Sequence, residues 1–479
     1  MSSTSASPDT GFGAAWHQRR GERELLLSCL GAMSLGFVLI LGADSGDGRR
    51  LAAPDLLPLL LYGLSLAGVH LALVAAGFRG DQVMTATVAF LSGFGLLAQY
   101  RMGAFHGDPE ARTLALALIP AGYLVMTACA LIFADGRYRL LARGLWLWAG
   151  VSLLLVGVLL VTGARFRGAV YGLGFTTPTE IIKVTVVLGL AAYLERHGAA
   201  LARWQARLPV PPWQALWPLL AFWAVLTGLL ALQRDLGMIV ILGIAFTLVV
   251  VSGTGRIGYL VYALLCAAGL GSVLLFFFEH GQRRIDAWLD PFQDPTGEGW
   301  QILQGLSGMY SGGLWGEGFG IGSPHYTPIA ASDFIYAVIG EELGFLGCVV
   351  LVLFFLVLLS RGVRLAAQGR SAFGRLLATG LTAVLAVQTL LNIGGVTKSI
   401  PLTGTTLPFI SHGGASLVTA FAAIGLLLAI SDGAPGRPAK APRAPRGRAA
   451  VGPPPDLKPR KVRRKAVPRE PAASSEERD

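Results

Sequence analysis

Apolar residues arrive in runs of about 20, the length needed to cross a hydrocarbon core of roughly 30 Å. The runs fall near residues 24–43, 56–78, 82–99, 113–134, 141–163, 176–194, 213–232, 236–253, 256–278, 336–360, 376–397 and 407–430. Each predicts a membrane-spanning helix, so the chain reads as an all-α polytopic membrane protein of about 12 transmembrane helices. The period-2 alternation of a membrane β-barrel is absent from the sequence. The first run has no cleavage site after it and reads as an uncleaved helix rather than a signal peptide.

Polar intervals set the organisation. Residues 1–23 form a polar N-terminal segment, 24–134 an N-terminal transmembrane extension with the first spans, 135–431 a transmembrane core and 432–479 a Pro-rich basic tail. Between spans nine and ten lies a large loop, 279–335, the heart of a Gly-rich polar interval from Gly281 to Gly344. A loop of this length with no evident fold of its own is more often functional than idle.

Charge orients the chain. Both termini are Arg-rich, and an even number of spans places them on one side. Arg137, Arg139 and Arg143, then Arg196, Arg203 and Arg207, then Arg361, Arg364, Arg370 and Arg375 fall on that same side. By the positive-inside bias that side is cytoplasmic, and the 279–335 loop faces outward. The net charge of +11 is mostly local: the tail from Asp432 carries 13 Lys/Arg against 6 Asp/Glu. This favours a tail lying near anionic lipid, or one that binds a protein, over nucleic-acid binding.

Soluble chemistry is largely excluded. There is no Walker A sequence and no HExxH spacing, and the alternating Gly316, Gly318, Gly320 and Gly322 lack the strand and helix of a dinucleotide fingerprint. Cys29, Cys129, Cys266 and Cys348 sit singly in apolar runs, which speaks against disulfides or a thiolate metal site.

Ionisable groups in a membrane span are expensive and therefore candidates for function. Glu180 and Lys183 share a helix face, either as an internal ion pair or as substrate contacts. Asp235, in QRDLG, either caps the next helix or walls a polar cavity. Asp333, in ASDFIYAVIGEELG, is either a helix cap or first-turn acid, or the catalytic group; Ser332 beside it is also a good cap. At least one of Glu341 and Glu342 must face the interior or a water-filled cavity. Lys398, with Arg165, Arg167, Arg234, Arg283 and Arg284, keeps positive charge on the outer side against the bias. Those cations either snorkel to headgroups or meet an anionic ligand such as phosphate.

The motifs GAR at Gly163–Arg165, TPTEIIK at Thr177–Lys183, QRDLG at Gln233–Gly237, SDFIYAVIGEELG, and NIGGVTKSIPLTGTTLPFISHGGAS fall in a fixed order over Gly163–Ser431. Together they resemble the SEDS family (shape, elongation, division and sporulation), typified by RodA and FtsW. The resemblance implies a peptidoglycan glycosyltransferase that polymerises lipid II at the outer face of the cytoplasmic membrane, beside a class B penicillin-binding protein. It maps the catalytic aspartate to Asp333. It maps substrate contacts to Glu180, Lys183 and Asp235; the outward cations Arg165 and Lys398, and Ser411 in the last motif, are the further candidate substrate contacts. No cofactor is certain; a divalent cation, Mg2+ or Mn2+, could share the neutralisation of a leaving pyrophosphate, but no metal cage is recognisable. Nucleic acid is not an expected partner.

The departures are specific. Pro328–Ser332 reads PIAAS where the family has Pro-Glu-Ala-His-Thr, so an acidic and a His contact are missing. His412 stands where Tyr is common and Lys398 where Gly is common. Twelve spans rather than ten, with the basic tail, look like the long actinobacterial members and an elongation role. A lipid II flippase and a non-enzymatic scaffold for a penicillin-binding protein are the rival functions.

Overall fold

The structure, a computed structural model, describes residues 12–46, 53–105, 108–166, 169–171, 178–204, 211–277, 279–297 and 299–432. The basic tail, Arg167, Arg207 and Thr177 of the TPTEIIK motif lie outside the described residues.

The chain runs α1 (Phe12–Gln18), α2 (Arg20–Gly46), α3 (Leu57–Ala75), α4 (Gln82–Arg101), α5 (Pro109–Ile132), α6 (Leu145–Thr162), α7 (Pro178–Leu201), α8 (Trp213–Gln233), α9 (Leu236–Thr254), α10 (Gly258–Phe277), α11 (Glu279–Leu289), α12 (Trp300–Gly312), α13 (Ile335–Gln368), α14 (Ala372–Val396) and α15 (Gly414–Asp432). Helices thus stand at every predicted span. Ten of them are long and apolar enough to cross a membrane by length and composition. The other two are α7, which carries Glu180 and Lys183 in its first turns, and α10, whose apolar part over Gly258–Val273 is shorter. One short antiparallel ribbon, β1 (Ala164–Phe166) with β2 (Ala169–Tyr171), follows α6 in register Arg165↔Val170.

Helix starts follow local chemistry. Asp81 caps α4 by accepting the Met84 amide (3.0 Å), and Ser371 caps α14 by accepting the Gly374 amide (3.0 Å). Pro109 and Pro178 open α5 and α7, where the missing N–H is harmless. In the bundle, α4 and α14 are innermost, 83% and 78% of their apolar windows being buried, against 22% for α6. Outer helices present large apolar side chains such as Leu124, Trp146, Val161 and Leu265 outward. In water such a surface would be an association hazard; in lipid it is the solvated face.

Two expectations change. The 279–335 loop has a fold of its own: α11 and α12 are joined by turns in which Asp290 accepts the Phe292 amide (3.1 Å) and Asp294 the Gly297 amide (3.0 Å). The last span starts at Gly414, not 407, because Leu407–Ser411 closes a turn through the Ile410 and Ser411 amides on Leu407 O. That turn is apolar because it packs inward, not because it is helical. Gly95 of α4 admits it: a Cβ there would lie 2.4 Å from Phe409 O.

Helix α12 and the Gly-rich stretch after it lie against the start of α13. The Glu317 and Gly318 amides donate to Glu341 O and Glu342 O (3.0 and 3.1 Å), and the Phe345 and Leu346 amides to Gly313 O and Leu314 O (2.9 and 3.2 Å). This exchange needs a break in α13. Gly344 supplies it at φ 67°, ψ −168°, a conformation that a side chain resists. Both Glu341 and Glu342 are buried and face this stretch. Glu341 Oε1 accepts the Ser323 amide (2.6 Å); Glu342 accepts the Gly320 amide (3.3 Å) and pairs with Arg101 (2.7 Å).

Candidate active site

The residues linking α14 to α15, 397–413, form a strap laid across the ends of α4, α9, α11 and α13. Two carboxamides one turn apart on α14 hold its middle. Gln388 Nε2 donates to Thr406 O (3.0 Å), and Asn392 Nδ2 donates to Thr405 O (2.7 Å). Helix α11 holds its outer edge: Arg284 Nη1 donates to Thr403 O (2.9 Å) and Leu402 O (3.3 Å), and Trp288 Nε1 to Lys398 O (3.0 Å). The start of α9 abuts it too, since a Cβ on Gly237 would stand 3.0 Å from Thr405.

Asp333 sits where this strap meets the start of α13. Neither it nor Ser332 caps that helix: the N-cap position is Phe334, which makes no side-chain cap bond. Ser332 Oγ instead donates to Asp333 Oδ1 (2.7 Å), and the other oxygen faces Gly404. Arg284 Nη2 faces the same glycine: a Cβ built on Gly404 would stand 3.5 Å from Asp333 Oδ2 and 3.8 Å from Arg284 Nη2. Burial holds the Asp333 carboxyl above the usual carboxylate range, opposed by the Ser332 hydroxyl and the Arg284 charge. The backbone nearby is strained. Ile329, Lys398 and Phe409 are left-handed, at φ 51°, 56° and 67°. Such conformations in side-chain-bearing residues persist only where the surroundings impose them, often at functional sites.

The other predicted residues divide. Glu180 and Lys183 form an ion pair (2.5 Å), and Lys183 also donates to Gln388 Oε1 (2.7 Å), so the pair is tied through Gln388 to Thr406 of the strap. Asp235 caps α9 by accepting the Met238 amide (2.9 Å). It also lies in the field of Glu180, Lys183 and Arg284, with burial raising its carboxyl above the usual range. Ser411 is a strap residue: its hydroxyl donates to Ser332 O (2.6 Å) and accepts the Leu407 amide (2.7 Å). Lys398 points along α11, Nζ to Leu289 O (3.5 Å), while the cation facing Asp333 is Arg284. Arg165 is in β1, and its side chain lies outside the described residues. His412 is exposed at the surface of the strap, and partial desolvation of its ring lowers its pKa. Among the described residues no three His, Cys, Asp or Glu side chains converge as metal ligands.

Gln99, Gln388 and Asn392 were not among the charged candidates. A polar side chain inside a span is itself costly, so all three were visible had uncharged groups been weighed as the ionisable ones were.

A helical bundle with a lipid-type surface and a buried polar site at the ends of its spans defines an integral membrane protein. Residues 81–434 match the FtsW, RodA and SpoVE family, described as cell cycle proteins, and the chain belongs to that family. Among its relatives is the peptidoglycan glycosyltransferase RodA of Mycobacterium tuberculosis, 34% identical over 87% of this chain and 91% of that protein. Another is a probable peptidoglycan glycosyltransferase FtsW of Trichlorobacter lovleyi, 33% identical over 74% and 93%. Of solved structures, one from work on structural coordination of polymerization and crosslinking by a peptidoglycan synthase complex aligns with TM-score 0.59 at 28% identity, covering 74% of this chain and 98% of that one. The rod shape determining protein RodA of Thermus thermophilus aligns with TM-score 0.52 at 26% identity, covering 74% and 97%.

Proposed function

We propose that the protein is a peptidoglycan glycosyltransferase that polymerises lipid II, with Asp333 as general base. The observation that carries the assignment of the base is the environment of that carboxylate. It is partly enclosed, held by one hydroxyl, and faced by the Arg284 guanidinium across Gly404. A carboxyl lifted above its ordinary range is a better proton acceptor at working pH than an exposed one.

The reaction is a single displacement with inversion. Asp333 takes the proton from the 4-hydroxyl of the incoming lipid II, and that oxygen bonds to the anomeric carbon of the growing chain. The bond from that carbon to the lipid pyrophosphate breaks, and the pyrophosphate leaves with the electron pair. Its added negative charge needs a cation. Arg284 stands beside the base, and Lys398 lies along the same helix edge. Glu180, Lys183, Asp235 and Ser411 shape the strap against which the substrate lies, and Arg165 is a further cation for the headgroup.

On this reading the site opens on the outer face of the cytoplasmic membrane, both termini are cytoplasmic, and a class B penicillin-binding protein crosslinks the product. The match to mycobacterial RodA covers more of the chain than the match to FtsW, which supports a role in elongation. The test is glycan-chain formation from lipid II by purified protein, with and without a candidate partner, comparing the wild type with Asp333→Asn. A positioned base is worth ~10²–10⁴ in rate, so the variant should make no measurable polymer while remaining monodisperse. Wild-type polymerisation by Asp333→Asn would overturn the assignment.

A further inference from the structure

Three consecutive carbonyls, those of Ala331, Ser332 and Asp333, are each held by a donor from elsewhere in the fold. Ala331 O accepts from Gln99 Nε2 of α4 (2.9 Å) and from the His412 amide (2.7 Å). Ser332 O accepts from Ser411 Oγ (2.6 Å), and Asp333 O from Asn392 Nδ2 of α14 (2.9 Å). Each carboxamide spends its other hydrogen on the strap, Gln99 on Ile410 O (3.0 Å) and Asn392 on Thr405 O (2.7 Å). The two side chains therefore staple the segment bearing the base to the strap from opposite sides.

The orientation of both amides is determined. All four of their partners are carbonyl oxygens, so only the NH2 end can face them; a flip would set oxygen against oxygen. Gln99 Oε1 and Asn392 Oδ1 are then left without a hydrogen-bond partner among the described residues, although both residues are buried. An unpaired buried acceptor is destabilising. Twice in one site the amide is oriented by its two donors, one of which goes to the segment bearing the base. A demand for position, rather than for stability, accounts for both.

We infer that Gln99 and Asn392 are positioning residues for the transfer reaction, fixing the Asp333 backbone so that its carboxylate meets the acceptor hydroxyl. The inference rests on Asp333 being the base. Neither residue touches the reacting atoms. Their loss should move the base and leave the substrate's other contacts in place.

Asn392→Asp and Gln99→Glu keep the shape of each side chain and replace the donor by an acceptor. In full-length purified protein each should lower kcat for lipid II polymerisation by about 10²-fold, the cost of a misplacement near 1 Å. KM should stay within about threefold, because the lost interaction matters only at the transition state. Asn392→Ser retains a single donor and should fall between. Size-exclusion profiles and unfolding temperatures establish that the variants fold. The two residues are on different helices, so failure of one variant to fold leaves the other as the test. Wild-type kcat in the folded variants, or a raised KM at unchanged kcat, would overturn the inference. Asp333→Asn is assayed alongside. If it is active the base assignment falls, whereas an inactive Asp333→Asn with wild-type kcat in both amide variants removes the positioning role alone.

Discussion

Replacing Arg284 by alanine should slow polymerisation and also move its acid limb to higher pH. The guanidinium has two tasks in the structure. One edge holds the strap through Leu402 O and Thr403 O, and the other faces Asp333 across Gly404. The distances from Gly404 put the two charged atoms within about 7.5 Å, where a unit charge pair is worth about 0.5–2 kcal/mol for an effective dielectric of 80 to 20. Asp333 is only partly enclosed by the protein surface, so the lower half of that range applies. Offered to a leaving pyrophosphate at a like distance, the same charge would be worth roughly 2- to 8-fold in rate. Loosening of the strap adds to it.

The pH effect has a definite sign. Burial raises the Asp333 carboxyl, and Arg284 opposes that rise. With Arg284 gone the carboxyl goes higher still. A base works only when ionised, so activity should appear at higher pH than in the wild type. Arg284→Lys keeps the charge but cannot fork between two carbonyls. It should therefore restore the pH limb better than the rate. Initial rates of glycan formation across pH, for the wild type and both variants, are the assay. An alanine variant within twofold of wild type, with its acid limb unmoved, would refute the reasoning.

Other substitutions test the frame around the site. Arg101→Met should destabilise the protein by about 3–5 kcal/mol, because Glu342, 2% exposed, would lose its cation. An unchanged unfolding temperature in detergent would contradict that. Gly344→Ala should lower folded yield sharply: the residue sits at φ 67°, and a Cβ would stand 2.4 Å from the Gly316 nitrogen. Wild-type thermal stability in that variant would remove the kink from the account. Asp333→Asn, besides losing activity, should melt no lower than wild type at neutral pH. A carboxyl whose folded pKa is raised contributes stability only below its ordinary pKa and loses it as pH rises. A drop of several degrees would mean that the ionised group is a structural partner.

Hydropathy located the spans because burial in lipid and burial in protein both select apolar residues, and for most helices the distinction does not matter. It matters at 407–413. Leu407, Phe409 and Ile410 extend the apolar run toward the strap, yet they are buried in a turn against α4, and the helix waits for Gly414. The reverse holds for α11. Its polar composition reads as loop, yet Arg284 and Trp288, one turn apart, use polar atoms to grip the strap from a helix lying along it. Composition reports which solvent a residue prefers. Whether the backbone is helical there is a separate question, decided by where its amides find partners.

The same distinction explains the site. Charged residues stand out in a membrane sequence, and Asp333, Glu180, Lys183, Asp235 and Arg284 are among them. What joins them is uncharged. Lys183 reaches the strap through Gln388, and the Asp333 backbone is held through carbonyls that Gln99, Asn392 and Ser411 bind. A carbonyl belongs to every residue, so nothing in residue identity marks Ala331, Ser332 and Thr405 as the atoms being held. Their donors do leave a trace: a carboxamide inside an apolar span, costly unless its hydrogens have a destination. Gln99 finds its destination 232 residues away at Ala331, a pairing no local pattern could contain. An ionisable group in a membrane helix thus indicates where chemistry is done. An amide there indicates which backbone the chemistry needs held still, and identifying that backbone takes the fold.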